Sequence, residues 1–354
     1  MGMWPRLKYA LREVGLSLLA MGIGLGFGAL LMVIYGYDPI LAYKALFRGA
    51  FGDITEVAET LAFSIPLMLT GLTFAIGVKA GLFNIGAEGQ VYLGAIGAVV
   101  FGGLLSLPHG IHVAIAVLGA MLFGALWSIG PALLKIYRGV HEVISTIMFN
   151  WIAYWFVMYL ALHVLVDPNR SERTIPVAET ARFGVLLKGS TLTGAIYVAI
   201  AFCLVVYLFL SLTKIGFELR LLGANPTAAQ YAGVNPKKVI FLSFLIGGLA
   251  AGLAGGLQII GRPPAWALYG TLGNVVGLGF AGIGVALIGR NNPIGVILAA
   301  IFYGALQHGG RYMEYEAGVC SELIGAISGL IIIALSVPEV VTLIRLRLKK
   351  WKVT

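Results

Sequence analysis

Charge is what this 354-residue sequence has least of: 11% of its residues are Asp, Glu, Lys or Arg, where a soluble domain carries about 25%. Hydrophobic residues make up 59%, and a water-soluble chain of that composition would have nowhere to bury its apolar surface. A bilayer removes the difficulty, because lipid solvates the outward faces. Cysteine is almost absent. Cys203 and Cys320 fall in or beside apolar runs, so they form neither a disulfide framework nor a metal-ligand spacing. The phosphate loop Gly-x-x-x-x-Gly-Lys-Ser/Thr is missing, which excludes ATP binding in the usual way. No nucleophile, base and orienter set is visible, so no enzyme site is expected. His109 and His112 stand three apart without a third ligand nearby and are not read as a metal site. The net charge of +9 raises nucleic acid as a partner, but the basic residues are scattered between apolar runs with no aromatic-rich patch, and that partner is set aside.

Glycine, in contrast, is abundant, at 49 residues. It is frequent in transmembrane helices, where it lets backbones approach closely. A spanning helix needs about 20 mostly apolar residues. Ten segments qualify: Val14–Tyr35, Glu56–Val78, Ala87–Leu105, His112–Leu134, Glu142–Val166, Thr191–Leu212, Val239–Ile260, Asn274–Ile288, Pro293–Gly310 and Val319–Val337. The eighth and ninth are short and glycine-rich, and can also be merged or read as re-entrant. The first follows Trp4, Arg6, Lys8 and Arg12 without a small-residue cleavage pattern, so it is read as a retained helix. The fold class expected is an all-α membrane protein of about ten helices, forming a single domain over residues 1–354.

The charges orient it. With the N-terminus inside, inner segments hold Arg6, Lys8, Arg12, Lys79, Lys135, Arg138, Lys214, Arg220, Lys237, Lys238, Arg290, Arg345, Arg347, Lys349, Lys350 and Lys352; the outer segments hold the remaining 8 of 24. That bias follows the positive-inside rule and puts both termini in the cytoplasm: residues 1–13 at one end and a basic tail, 339–354, at the other. Residues 167–190 are then an outer loop, and residues 213–238 the largest inner one.

The inner loop carries helix grammar. Asn225 is a good N-cap and Pro226 suits the first helical position. Gly233 is a natural left-handed stop, and Pro236 prevents continuation. A helix of about two turns is predicted inside the cell, read either as an ordinary interfacial helix or as a knob that couples the membrane helices to an outside motor. Asn84, Glu88 and Gln90 interrupt the second and third spans among glycines. A charge at bilayer depth costs about 2.5–3.5 kcal/mol, and irregular backbone there is tolerated only inside protein or along a cavity. Two readings stand: a broken-helix element lining a translocation pathway, or a cytoplasmic hairpin with a solvated Glu88. Asn150 lies in the fifth span beside Trp151, Tyr154 and Trp155, either as a polar group with an aromatic face for a solute or as an interhelical hydrogen bond. Gln258 and Asn274 are further pathway candidates. Gly248, Gly252 and Gly256 repeat every four residues, a small-residue stripe for helix packing.

The stretch Arg220-Leu-Leu-Gly-Ala-Asn-Pro-Thr-Ala-Ala-Gln-Tyr-Ala-Gly-Val234 resembles the coupling-loop motif of the permease family that serves branched-chain amino acids, simple sugars and nucleosides. Residues Gly71–Gln90, His141–Trp151, Gly279–Pro293 and Asp38–Phe51 are similar to its nucleoside-importer branch, in the same order along the chain. The resemblance covers nearly the whole sequence. It implies a non-catalytic permease subunit of an ATP-binding cassette importer in a prokaryotic plasma membrane, working by alternating access. It also implies three partners: a cytoplasmic ATPase that binds ATP and Mg, a second permease subunit, and an extracellular substrate-binding lipoprotein. No cofactor is expected in this chain. Glu218, Arg220, Gly223, Asn225, Pro226, Tyr231 and Gly233 are the residues that the resemblance assigns to ATPase coupling. A secondary transporter or channel is the rival class, and it calls for more buried ionisable groups than the sequence offers.

Overall fold

The structure, a computed structural model, describes residues 22–334. Thirteen α-helices are found among them: α1 Gly22–Ile34, α2 Pro39–Phe51, α3 Ile54–Lys79, α4 Ala87–Gly103, α5 Ile111–Arg138, α6 Glu142–Tyr159, α7 Ala195–Leu212, α8 Lys214–Ala224, α9 Pro226–Tyr231, α10 Pro236–Ile260, α11 Leu278–Ile288, α12 Pro293–Ala317 and α13 Ser321–Ala334. A π-turn, Leu160–Val164, extends α6, and a small hairpin, β1 Val166–Asp167 with β2 Arg170–Thr174, follows it. Six of the helices are long and apolar enough to cross a membrane, so the chain is a mostly helical, multi-pass membrane protein. The segments 1–13 and 339–354, and the start of the first expected span, lie outside the described residues.

Two compact units divide these residues. One contains residues 22–53 and 306–334; the other runs from Ile54 to Ala305. In the first, Asp38 caps α2 by accepting from the Ile40 N–H at 2.8 Å, with Pro39 at the first helical position. Arg48 pairs with Glu316 at 3.3 Å. Helix α2 stands where the sequence reading had only an outer connection. Its Asp-Pro start parallels the Asn-Pro start of α9, but at 13 residues the helix is too short for a search by spanning length to find.

In the larger unit α10 is central, with α3, α4 and α5 around it; α7 packs on α3, and α6 on α4. The inner and outer helices differ in what covers them. In α3, 83% of the apolar window is buried by protein, against 28% in α6, which leaves α6 to lipid or to partner subunits. Glycine makes the inner contacts close. A Cβ on Gly248 would sit 2.8 Å from Ala125 Cα, and one on Gly252 would sit 2.9 Å from Gly124 Cα, both on α5. Gly94 of α4 meets Gly252 in the same way, and Gly256 faces Ala120. With no apolar driving force between helices in lipid, such approaches let dispersion and Cα–H···O contacts supply the association.

The eighth expected span differs from the structure. Asn274–Gly277 are not helical, and α11 begins only at Leu278 and runs for 11 residues. At 1.5 Å per residue that is roughly 16 Å, about half the hydrocarbon thickness. The residues from Gly261 to Gly277 pack on residues 172–177 instead: the Val177 N–H donates to the Trp266 carbonyl, the Thr174 N–H to Leu268 and the Gly270 N–H to Glu172, each at 2.8 Å.

Candidate functional site

Helix α3 ends at Lys79 and α4 starts at Ala87, with seven irregular residues between them. The break lies at depth. The Asn84 amide stands beside Gly247, which is roughly 16 Å beyond the first residue of α10 at 1.5 Å per residue. Glu88, in the first turn of α4, is 2% exposed, so it is not a solvated hairpin residue. Its carboxylate accepts from the backbone N–H groups of Gly277, Gly279 (2.7 Å) and Phe280 (3.2 Å), and from the Tyr92 hydroxyl at 2.6 Å. Those backbone donors are the start of α11, whose first N–H groups have no partner within the helix. A negative charge at that position is favoured by the helix dipole as well. A Cβ on Gly279 would meet the backbone of Glu88, so the two helices touch there. Two helix N-termini thus converge within the bundle on one carboxylate.

Asn150 of α6 secures the other side. Its Oδ1 accepts from the Gly89 N–H and its Nδ2 donates to the Ile85 carbonyl, both at 2.9 Å. One side chain therefore holds the chain just before and just after the start of α4. Trp151 points elsewhere: it is 60% exposed while Asn150 is 5% exposed, so the structure does not bring them together as one face for a solute. Tyr154 lies between Trp151, Trp155 and Tyr92, with ring centroids 5.9, 5.2 and 6.1 Å away. Asn84 Oδ1 accepts from the Gly86 N–H at 2.9 Å, while the buried Asn84 Nδ2 and Gln90 Oε1 have no partner among the described residues.

Gln258 and Asn274 are brought together. Gln258 Nε2 donates to the Asn274 carbonyl, and Asn274 Nδ2 donates to that of Ala267, each at 2.9 Å. They fasten the 261–277 segment to α10. Sequence reasoning missed two further ties. Glu142 accepts from Lys135 Nζ at 2.7 Å and from the Phe83 N–H at 3.3 Å, gripping the break from α5 and α6. Glu59 accepts from both the N–H and the hydroxyl of Thr191. A carboxylate near the end of an apolar run was the available signal for both.

The 213–238 segment holds two helices rather than one. Thr213 caps α8, accepting from the Gly216 N–H at 3.0 Å. Asn225 caps α9, accepting from the Ala228 N–H at 3.0 Å, with Pro226 at its first position. Gly233 lies in the left-handed region at φ 81°. Arg220, Asn225, Pro226, Tyr231 and Gly233 are exposed, Tyr231 at 90%. Glu218 is half-buried and faces Lys214 at 3.9 Å. Gly223 points inward instead: a Cβ there would come within 2.8 Å of the Gly81 nitrogen. Gly81 itself is left-handed, at φ 74°. The end of α8 thus rests directly on the start of the break that leads to Asn84 and Glu88.

A family model described as "Branched-chain amino acid transport system / permease component" matches residues 57–336. The guanosine ABC transporter permease protein NupP of Bacillus subtilis (strain 168) is 38% identical, over 94% of this chain and 96% of the relative. The nucleoside ABC transporter permease protein NupB of Lactococcus lactis subsp. cremoris (strain MG1363) is 32% identical, over 93% and 92%. The glucose ABC transporter permease protein TsgB13 of Haloferax volcanii is 31% identical, over 92% and 87%. A polar, broken-helix core joined to a capped loop is therefore set in a chain that belongs, over most of its length, to the branched-chain amino acid transport system permease family.

Proposed function

We propose that this chain is the permease subunit of an ATP-binding cassette importer of nucleosides in a prokaryotic plasma membrane. The observation that carries the substrate is the 38% identity to a guanosine permease along almost the full length of both proteins. The chain itself binds no nucleotide for energy; ATP and Mg belong to a cytoplasmic ATPase partner. A second permease subunit and an extracellular substrate-binding lipoprotein complete the assembly. About ten spans with both termini in the cytoplasm fit the charge bias.

The geometry supports a route for transmission. Arg220, Asn225 and Tyr231 present the exposed side of α8 and α9 to the ATPase. ATPase closure moves that knob, and the Gly223–Gly81 contact passes the motion into the break. Asn84, Glu88, Gln90 and Asn150 form the polar hinge there, and Gln258 with Asn274 hold the segment on the opposite side. Switching these two irregular segments between arrangements alternates access across the bundle.

The experiment is ATP-dependent uptake of labelled guanosine or uridine into vesicles holding the full complex. Saturable nucleoside uptake that needs the ATPase supports the reading. Gly223→Ala is expected to insert normally and to lower uptake about tenfold while ATP hydrolysis persists, a coupling loss near 1.4 kcal/mol. Transport with no ATPase present would rule out the importer class. A second reading, simple-sugar import, is favoured by the 31% identity to a glucose permease; uptake of glucose without competition by nucleosides would select it.

A further inference from the structure

At the end of the larger unit opposite α8 and α9, a groove of about 420 Å³ opens on the surface where α5 and α7 begin. Its walls are apolar. Val113 and Val117 line it from successive turns of α5, Val198 from the first turn of α7, and Phe183 from the preceding loop. Its mouth is basic: Arg182 and His109 lie there, and none of the lining residues is acidic.

Both basic side chains are held in place by the protein, and Arg182 keeps a donor to spare. Arg182 gives Nε and Nη2 to the Val177 carbonyl, at 3.0 and 2.8 Å, and its guanidinium lies 5.3 Å from the Trp266 ring centroid. Its Nη1 has no partner among the described residues. His109 stands beside it, with Nδ1 donating to the Thr180 carbonyl at 3.0 Å. The chain has thus fixed a guanidinium with one free donor, and a histidine beside it, above a slot of valines at the start of two apolar helices, α5 and α7. A soluble anion would use the mouth and leave the slot empty, and a neutral acyl chain would fill the slot and ignore the mouth. One molecule satisfies both.

We propose that this groove is a binding site for an anionic phospholipid, with the phosphate against the Arg182 guanidinium and one acyl chain laid along Val113 and Val117. The site is separate from the polar break and from the coupling helices, and it stands whether the transported solute is a nucleoside or a sugar. An annular lipid at this position would steady the loop that carries Trp266, and with it the 261–277 segment.

The test is native mass spectrometry of the full-length chain released from detergent in equal amounts of phosphatidylglycerol and phosphatidylcholine. The wild type is expected to retain phosphatidylglycerol in preference by about fivefold, the effect of one cation beside an anionic headgroup. Arg182→Gln should bring the two lipids to parity. Val117→Trp, which fills the slot and leaves the Val177 bonds intact, should reduce retention of both, and it keeps the test valid if Arg182→Gln does not fold. Equal retention of both lipids by the wild type overturns the proposal, as does undiminished phosphatidylglycerol binding in Val117→Trp. Loss of all lipid when the chain is isolated with a protein partner covering this face also overturns it.

Discussion

The two irregular regions of the larger unit are held by opposite means. Between Lys214 and Lys238 the fastenings are local: Thr213, Asn225 and Asn235 each bond a backbone N–H three residues ahead. Between Ala80 and Gln90, the local Asn84–Gly86 bond apart, they are remote. Asn150 reaches back 61 and 65 residues, and Glu88 reaches forward 189 to 192. The difference follows from the solvent. A loop in water can leave groups to be hydrated, and short caps suffice. A break inside the bundle must find every partner within the protein. Local caps make a compact knob that can move as a unit, whereas remote bonds make a joint whose release rearranges several helices at once.

The comparison breaks if the remote bonds prove dispensable. Glu88→Gln replaces one acceptor oxygen with a donor facing the N–H groups of Gly277, Gly279 and Phe280. A loss of about 2–4 kcal/mol is expected, seen as a lower melting temperature in detergent and near-abolished uptake at matched protein level. Wild-type uptake in this variant would remove Glu88 from the mechanism. A smaller effect sharpens the contrast. Asn225→Ala should cost about 1 kcal/mol, confined to α9. Hydrogen exchange of residues 226–231 should quicken while the melting temperature holds; a global drop as large as that of Glu88→Gln would erase the distinction drawn here. The smallest effect is expected in the 167–190 loop. The Asn169 N–H and then Arg173 hold the Asp167 carboxyl below its usual value. Because the folded value is the lower one, the stabilisation is complete above the ordinary carboxylate range and is lost as pH falls through the folded value. Protease resistance of the 167–190 loop should therefore be flat from about pH 8 to pH 5 and fall only in stronger acid, while Asp167→Asn should be flat and lower throughout.

Legibility in the sequence tracked the same division. The capped helix at Asn225–Gly233 was readable because all of its signals lie within a dozen residues, and the long spans were readable from apolar length. Helix α11 reads as part of a full span because Val275 and Val276 carry its apolar run back to Asn274, and the Glu88 carboxylate, far away in sequence, takes up the N–H groups where the helix begins. The remote partners of Glu88, Asn150 and Gln258 were not readable. They are backbone groups, which leave no residue-specific trace. Burial of Asn150 against α4 and exposure of Trp151 depend on the face that α6 turns to its neighbours, and an all-round apolar helix does not declare that face.

The reach of Glu88 also sets an order of events during synthesis. At ribosomal speeds of about 5–20 residues per second, its backbone partners emerge roughly 10 to 40 seconds after it does. Until then α4 carries an unmatched carboxylate, and α11, once made, is too short to cross the bilayer unaided. Neither half-helix has a settled position before the other arrives. The last third of the chain must therefore return to a segment laid down long before, and a protein truncated after α10 would leave the membrane with an incomplete core rather than a smaller permease.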